Sequence, residues 1–154
     1  MPTLSGLGYL EDSFLIFLLP KQEQSLRKQA HNPKKLHVID TGLVAAFKAD
    51  QGRDIGHKLE TTVFLEVRCR RKDLFYYADG SEVDLCDGEG TLFLNSCWSL
   101  VDSETLQREA EVMVFGRARW PDARGRLLYH EYTPGVDIPI PGAEPAWKFL
   151  SRGL

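Results

Sequence analysis

The sequence predicts an α/β fold, a mixed sheet flanked by helices, and three observations carry that expectation. Residues 56–72, "GHKLETTVFLEVRCRRK", place Leu59, Val63, Phe64 and Val67 on one stripe at roughly 100° per residue, the period of an amphipathic helix. Three short apolar runs follow, "DLFYYA", "SEVDLCD" and "TLFLNSCWS", separated by Gly-containing turns, as strands are. A second helical stretch, "SETLQREAEVMVFGRARW", then leads to a further strand, "RLLYHEYT". Helix, three strands, helix and strand in that order build a sheet with helices against it.

The elements before Gly56 are read in turn. Tyr9–Leu19, "YLEDSFLIFLL", is a β-rich run stopped by Pro20, and "LRKQ" returns after the polar "KQEQS" as the second strand of a hairpin. "KKLHVID" is a short strand. Asp40 or Thr41 caps the helix "GLVAAFKAD" after it, because a short side-chain oxygen satisfies a free helix N–H. Gln51–Asp54 is a loop. Residues 1–50 therefore read as a small appendage, and 51–154 as the main domain. In the second long helix Ser103 is the expected cap, and the basic end of the first, Arg68 to Lys72, complements the helix dipole. "PGVDIPIPGAEP" is a Pro-broken loop with room for an edge strand, and Trp147 and Phe149 of the tail "AWKFL" are expected to pack on the core.

Totals narrow the function. A chain of 154 residues with 43% hydrophobic content can bury a core of its own. A formal charge of −3 gives no sign of general nucleic-acid affinity, so any basic surface is local. One such run exists: Lys21, Arg27, Lys28, Lys34 and Lys35 face a single acid, Glu23, within residues 21–37. Its alternatives are a phosphate-binding surface and a solvated hairpin. Three cysteines without CxxC spacing suggest free thiols in a reducing compartment, and the histidines show no metal-ligand spacing. No signal peptide is legible, and "FLIFLLP" is too short to span a bilayer, so a cytoplasmic protein without a membrane partner is expected.

Four residues are candidates for chemistry. Glu60 points into the apolar stripe, where a carboxylate is costly unless it is paired or metal-bound. Pairing with an Arg or Lys at the stripe's rim is the simpler account. Glu82 and Asp84 share a strand face by period-2 alternation, with Val83 and Leu85 on the other. Two acids on one face suit Mg²⁺, and equally suit solvent. On the next strand Asn95 and Cys97 share a face. A metal-dependent nuclease needs an acid or amide there, followed two residues later by a lysine that offsets transition-state charge. Asn95 is a weak neutral ligand, and Cys97 carries no ammonium.

The spaced segments "YLEDSFLIFLL", "NPKKLHVIDTGL", "GHKLETTVFLEVRCR", "LFYYADGSEVDL", "NSCWSL" with "ETLQREA", and "PAWKFL" resemble the C-terminal region of a family of prokaryotic AAA+ ATPases, over about residues 7–150. That region is similar to the restriction-endonuclease-like, PD-(D/E)xK fold. The resemblance implies that residues 1–50 derive from a winged-helix wing hairpin with its linking helix. It further implies that Glu60 is the acid of the first helix, that Asp84 is the metal-binding aspartate, and that Asn95 and Cys97 stand at the (D/E/Q)xK positions. Thr61 replaces the family's usual Asn. No GxxxxGK[ST] occurs, so these residues hold no ATPase loop, and the chain is a stand-alone remnant, a fragment or part of a split system.

With Cys97 at the lysine position, a non-catalytic module without cofactor is expected. Its partner would be DNA, a separate ATPase subunit or a second copy of itself. The alternative is an Mg²⁺- or Mn²⁺-dependent endonuclease whose metal is held by Glu60 and Asp84 and whose lysine comes from elsewhere. Lys58 is the candidate by sequence. Convergence of the two acids with a lysine amine is what would favour the active form.

Overall fold

A computed structural model describes residues 4–47, 55–135 and 137–152. The predicted end of the third helix at Lys48–Asp50 and the predicted loop Gln51–Asp54 lie outside the described residues, as does the proposed boundary between 50 and 51.

Three helices and two strands precede residue 48: α1 (Leu4–Asp12), β1 (Ile16–Leu19), α2 (Leu26–His31), β2 (Lys35–Val38) and α3 (Thr41–Phe47). The main sheet and its helices follow as α4 (Ile55–Arg68), β3 (Leu74–Asp79), β4 (Ser81–Asp87), β5 (Leu92–Ser99), α5 (Ser103–Arg119), β6 (Arg124–Glu131), β7 (Ala143–Pro145) and α6 (Ala146–Arg152). The sheet order is β3-β4-β5-β6-β7. The first two pairings are antiparallel and the last two parallel, with α5 as the crossover between β5 and β6. The expected mixed α/β architecture is present.

The start of the chain departs from expectation. The run from Tyr9 splits into helix and strand, and "LRKQ" is the helix α2 rather than a returning strand. Strand β1 pairs instead with β2, antiparallel, with Phe17 opposite His37. Nor does this pair stand apart. Phe17 and Leu19 are buried in the same cluster as Leu59, Phe64 and Val67 of α4. Tyr76 of β3 donates its N–H to Pro20 O and its hydroxyl to Pro33 O.

Two apolar clusters sit on opposite faces of the sheet, as strand alternation requires. Leu92 and Leu94 of β5 face α4, α6 and β1, whereas Phe93 and Cys97 face α5 with Met113, Trp120 and Leu127. Phe93 is fully buried, and its ring lies against two glycines. A Cβ on Gly116 would stand 2.4 Å from it, and one on Gly125 2.2 Å. Gly125→Ala is therefore expected to cost about 1–3 kcal/mol by overpacking, read as a shift in urea midpoint with unchanged slope. A neutral result would mean that the ring has room to move.

Caps and ends follow local chemistry. Asp102, rather than Ser103, caps α5 by accepting from Thr105 N at 2.8 Å. At the end of α4 the predicted basic cluster is divided among partners: Arg68 lies over the Phe17 ring, Arg70 pairs with Glu66, and Arg71 reaches Asp87. In α6 Phe149 is buried as expected, but Trp147 is exposed. Among the described residues no helix is long and apolar enough to cross a membrane.

Candidate active site

The site is assembled by α4, β2, β4 and β5. Helix α4 lies on the sheet through Leu59, Val63, Phe64 and Val67, and this turns Glu60, on the flank of that stripe, toward β2 and β4. Strand β4 carries a bulge. Phe75 pairs with Cys86 and Tyr77 with Val83, so the one residue between them on β3, Tyr76, stands against two of β4, Asp84 and Leu85. The extra residue breaks the alternation expected for this strand. Val83 joins the α5-side cluster and Leu85 the α4-side cluster. Asp84 is thereby aimed to the α4 side along with Leu85, a re-aiming that bulges commonly provide.

Glu60 and Asp84 converge on one lysine, Lys35. Its Nζ lies 2.8 Å from Glu60 Oε1, 3.0 Å from Asp84 Oδ1 and 2.7 Å from Glu82 Oε1. The side chains of Lys35, Glu60 and Asp84 are each less than a fifth exposed, and that of Glu82 is half exposed, so the cluster opens to solvent at Glu82. The predicted (D/E/Q)xK residues do not join it. Asn95 and Cys97 lie on the α5 face, where Asn95 donates to Glu109 Oε2 at 2.6 Å and the Cys97 thiol donates to Ser99 O at 3.2 Å. Burial, and next the charge of Glu109, push that thiol up to about 11, which keeps it protonated at neutral pH. Asn95 meets the site through its Oδ1, which accepts from the backbone N–H of Asp84, and it lines the small cavity beside that residue.

Ser96, between them, faces the site. Its backbone N–H donates to Asp84 Oδ2 at 2.9 Å and its hydroxyl donates to the same oxygen at 3.2 Å. Sequence reasoning missed Ser96 and misplaced Lys35. The signal for Ser96 was the alternation Leu92, Leu94, Ser96, which continues the face that α4 covers. Lys35 belonged to the predicted basic surface but is drawn inward. Lys21 is partly buried beside Glu23, and Arg27, Lys28 and Lys34 are exposed, Lys34 immediately before the cluster's lysine. Neither an ion pair nor a hydrogen bond links the Lys58 side chain to the cluster among the described contacts.

Charge is unevenly compensated. Burial works against protonation of Lys35, but Asp84, Glu60 and Glu82 outweigh it and hold the amine above its ordinary range. Burial likewise opposes ionisation of Glu60, which His57 and Lys35 reverse, leaving the carboxyl down at about 2. At Asp84 burial and the Glu60 charge prevail over Lys35 and Ser96, pushing it up to about 6. Three carboxylates share one ammonium, and the most enclosed of them shows the deficit of positive charge.

A histidine completes the wall. His37, two residues along β2 from Lys35, is fully buried, stacks on Phe64 and His57, and pairs through Nδ1 with Thr61 Oγ1 at 3.0 Å. Burial pushes its imidazole down to about 4, so it is neutral. Its Nε2 is buried without a hydrogen-bond partner. Comparison with family models, curated proteins and solved structures returns no match.

Hard oxygen donors with a net negative charge fit Mg²⁺ or Mn²⁺, the cations that the restriction-endonuclease-like resemblance implies. As the side chains stand, no group of three His, Cys, Asp or Glu residues among those described is arranged to hold a metal ion. Around the ammonium of Lys35 the carboxylates are gathered but paired.

Proposed function

We propose that the chain is a restriction-endonuclease-like domain that hydrolyses phosphodiester bonds in DNA with Mg²⁺ or Mn²⁺, through a site whose lysine has moved to β2. The observation that carries this reading is the convergence of Glu60, Asp84 and Lys35 from elements 25 and 49 residues apart in sequence. Glu60 and Asp84 would hold the cation, which when bound supplies Lewis-acid polarisation of the phosphoryl group and an acidified water. Lys35 stays protonated through the neutral range, so it is not the base. It contributes fixed positive charge where the phosphorane-like transition state gains negative charge. Ser96 orients Asp84 by two donations to Oδ2 and leaves Oδ1 toward the cationic centre. Exposed Arg27, Lys28 and Lys34 supply the phosphate contacts, which makes DNA affinity fall steeply with salt.

One observation favours a second reading. Lys35 makes three contacts of 2.7–3.0 Å with the acids, so its ammonium can replace the cation and leave a non-catalytic DNA- or protein-binding module. Nicking of supercoiled plasmid separates the two. With Mn²⁺ the wild type is expected to nick, and Asp84→Asn to lose at least about a hundredfold of that rate. Equal rates in the two would mean activity from elsewhere. No nicking under Mg²⁺ or Mn²⁺, with salt-sensitive DNA binding retained, would leave the binding module.

A further inference from the structure

We infer that His37 Nε2 is a nitrogen ligand at this centre, and that the site therefore takes a first-row transition metal in preference to Mg²⁺. This rests on the cation-binding reading of Glu60 and Asp84 but not on hydrolysis. A small cavity of about 10 Å³ is walled by His37, Glu60, Asp84 and Ser96, with Phe64 and Leu94 closing it. That is about the space of one small ion or water. His37 is fully buried and lines this cavity, and its Nε2 has no hydrogen-bond partner, an arrangement that costs free energy unless something binds there.

The other ring nitrogen, Nδ1, is taken up by Thr61 Oγ1 at 3.0 Å. In the tautomer in which Nδ1–H donates to that oxygen, Nε2 offers its lone pair to a cation. Metal-binding histidines are held in this manner, with the distal N–H anchored to an oxygen. Thr61, where the family resemblance implies Asn, is the anchor, and it is itself buried. Stacking between Phe64 and His57 prevents the ring from turning away. An oxygen-only set suits Mg²⁺, whereas adding imidazole shifts preference toward transition metals, for which nitrogen is a better donor.

The test is metal binding by the whole chain, without DNA. Calorimetric titration is expected to give Mn²⁺ an affinity at least tenfold above that of Mg²⁺. His37→Phe, which keeps the stacking, is expected to lower Mn²⁺ affinity by about 10–100-fold and leave Mg²⁺ affinity within about twofold. Should that variant fail to fold, pulsed EPR of Mn²⁺-loaded wild type reports ¹⁴N coupling directly. Absence of that coupling from the wild type would overturn the inference. Mn²⁺ affinity unchanged by His37→Phe would also overturn it, even if the protein nicks DNA. Binding of Mn²⁺ that depends on His37, without any nicking, would support it while overturning the hydrolytic reading.

Discussion

Lys35→Met is expected to abolish Mn²⁺-dependent nicking, by at least about a hundredfold, and to lower the unfolding free energy in EDTA by about 3 kcal/mol at pH 7.5. Both effects come from one ammonium. Methionine keeps the length and most of the apolar stem, so the packing of β2 against α4 is preserved and the charge is what goes. Glu60 and Asp84, less than a fifth exposed, are then left facing each other and Glu82 without the cation that binds all three. Breaking a buried pair from one side costs about 3–5 kcal/mol, and the opening at Glu82 argues for the lower end. At this chain length about 3 kcal/mol corresponds to a fall in Tm of about 6–12 °C.

The pH dependence gives that prediction its sign. The Lys35 amine titrates higher in the folded chain than its ordinary 10.5, so its stabilisation is complete below that value and is lost only in strong alkali. Asp84 behaves oppositely. Its folded value of about 6 lies above the ordinary 3.8, so it costs stability as pH rises through that window. In Lys35→Met the Asp84 carboxyl has still less reason to ionise. The difference between wild type and variant should therefore be largest above pH 7 and shrink as pH falls below about 6. A difference that stays constant from pH 4 to pH 8 would mean that the amine packs without compensating the acids. Mn²⁺ affinity should rise in the variant, because the cation no longer competes with an ammonium.

What could be foreseen of this site, and what could not, follows from the range of each interaction. Helix α4 and strands β3 to β6 were legible because their burial patterns are local: Leu59, Val63, Phe64 and Val67 repeat at helical spacing, and Leu92 and Leu94 alternate with Phe93. Glu60 could be singled out for the same reason, as an acid pointing into an apolar stripe, and Asp84 as one of two acids sharing a strand face with Glu82. Helix α2 hid because it buries nothing: Leu26 is 84% exposed, so "LRKQAH" shows no face to a pattern search. The bulge at Asp84 was invisible because it depends on register against β3, not on the sequence of β4. Lys35 was grouped with its basic neighbours by proximity along the chain. Its partners are 25 and 49 residues away, and no local period encodes them. Asn95 and Cys97 were placed on a common face correctly, but which face meets α4 is a tertiary fact. Their side chains meet Glu109 and Ser99 instead.

The register that brings Asp84 to Ser96 has its own staple, and Asp87→Ala is expected to remove about 3–5 kcal/mol of stability. Asp87 ends β4 and is 2% exposed. Its Oδ1 accepts from the backbone N–H groups of Thr91 at 2.8 Å and Leu92 at 3.2 Å. Its Oδ2 accepts from the Thr91 hydroxyl at 2.6 Å and Arg71 at 2.5 Å. The turn beneath it is tight: Gly90 has φ +69°, and a Cβ there would stand 3.1 Å from Trp120, so the loop cannot easily find another form. Alanine leaves the Thr91 and Leu92 amides and the Thr91 hydroxyl without this acceptor, and it removes the carboxylate beside Arg71, which keeps Thr91 Oγ1. Burial opposes ionisation of Asp87, but donation from Thr91 and Leu92 and the Arg71 charge hold the carboxyl below its ordinary 3.8. Its contribution is therefore present above that value and is lost as pH falls below it. Urea unfolding at pH 7 should show the full loss in Asp87→Ala, and the gap to wild type should narrow below about pH 3.8. Hydrogen exchange should quicken first at the Thr91 and Leu92 amides and then along the β4–β5 ladder. Nicking should fall with it, because Asp84 is aimed by that ladder. A loss under about 1 kcal/mol, with exchange unchanged at those two amides, would show that the strands keep their register without the aspartate.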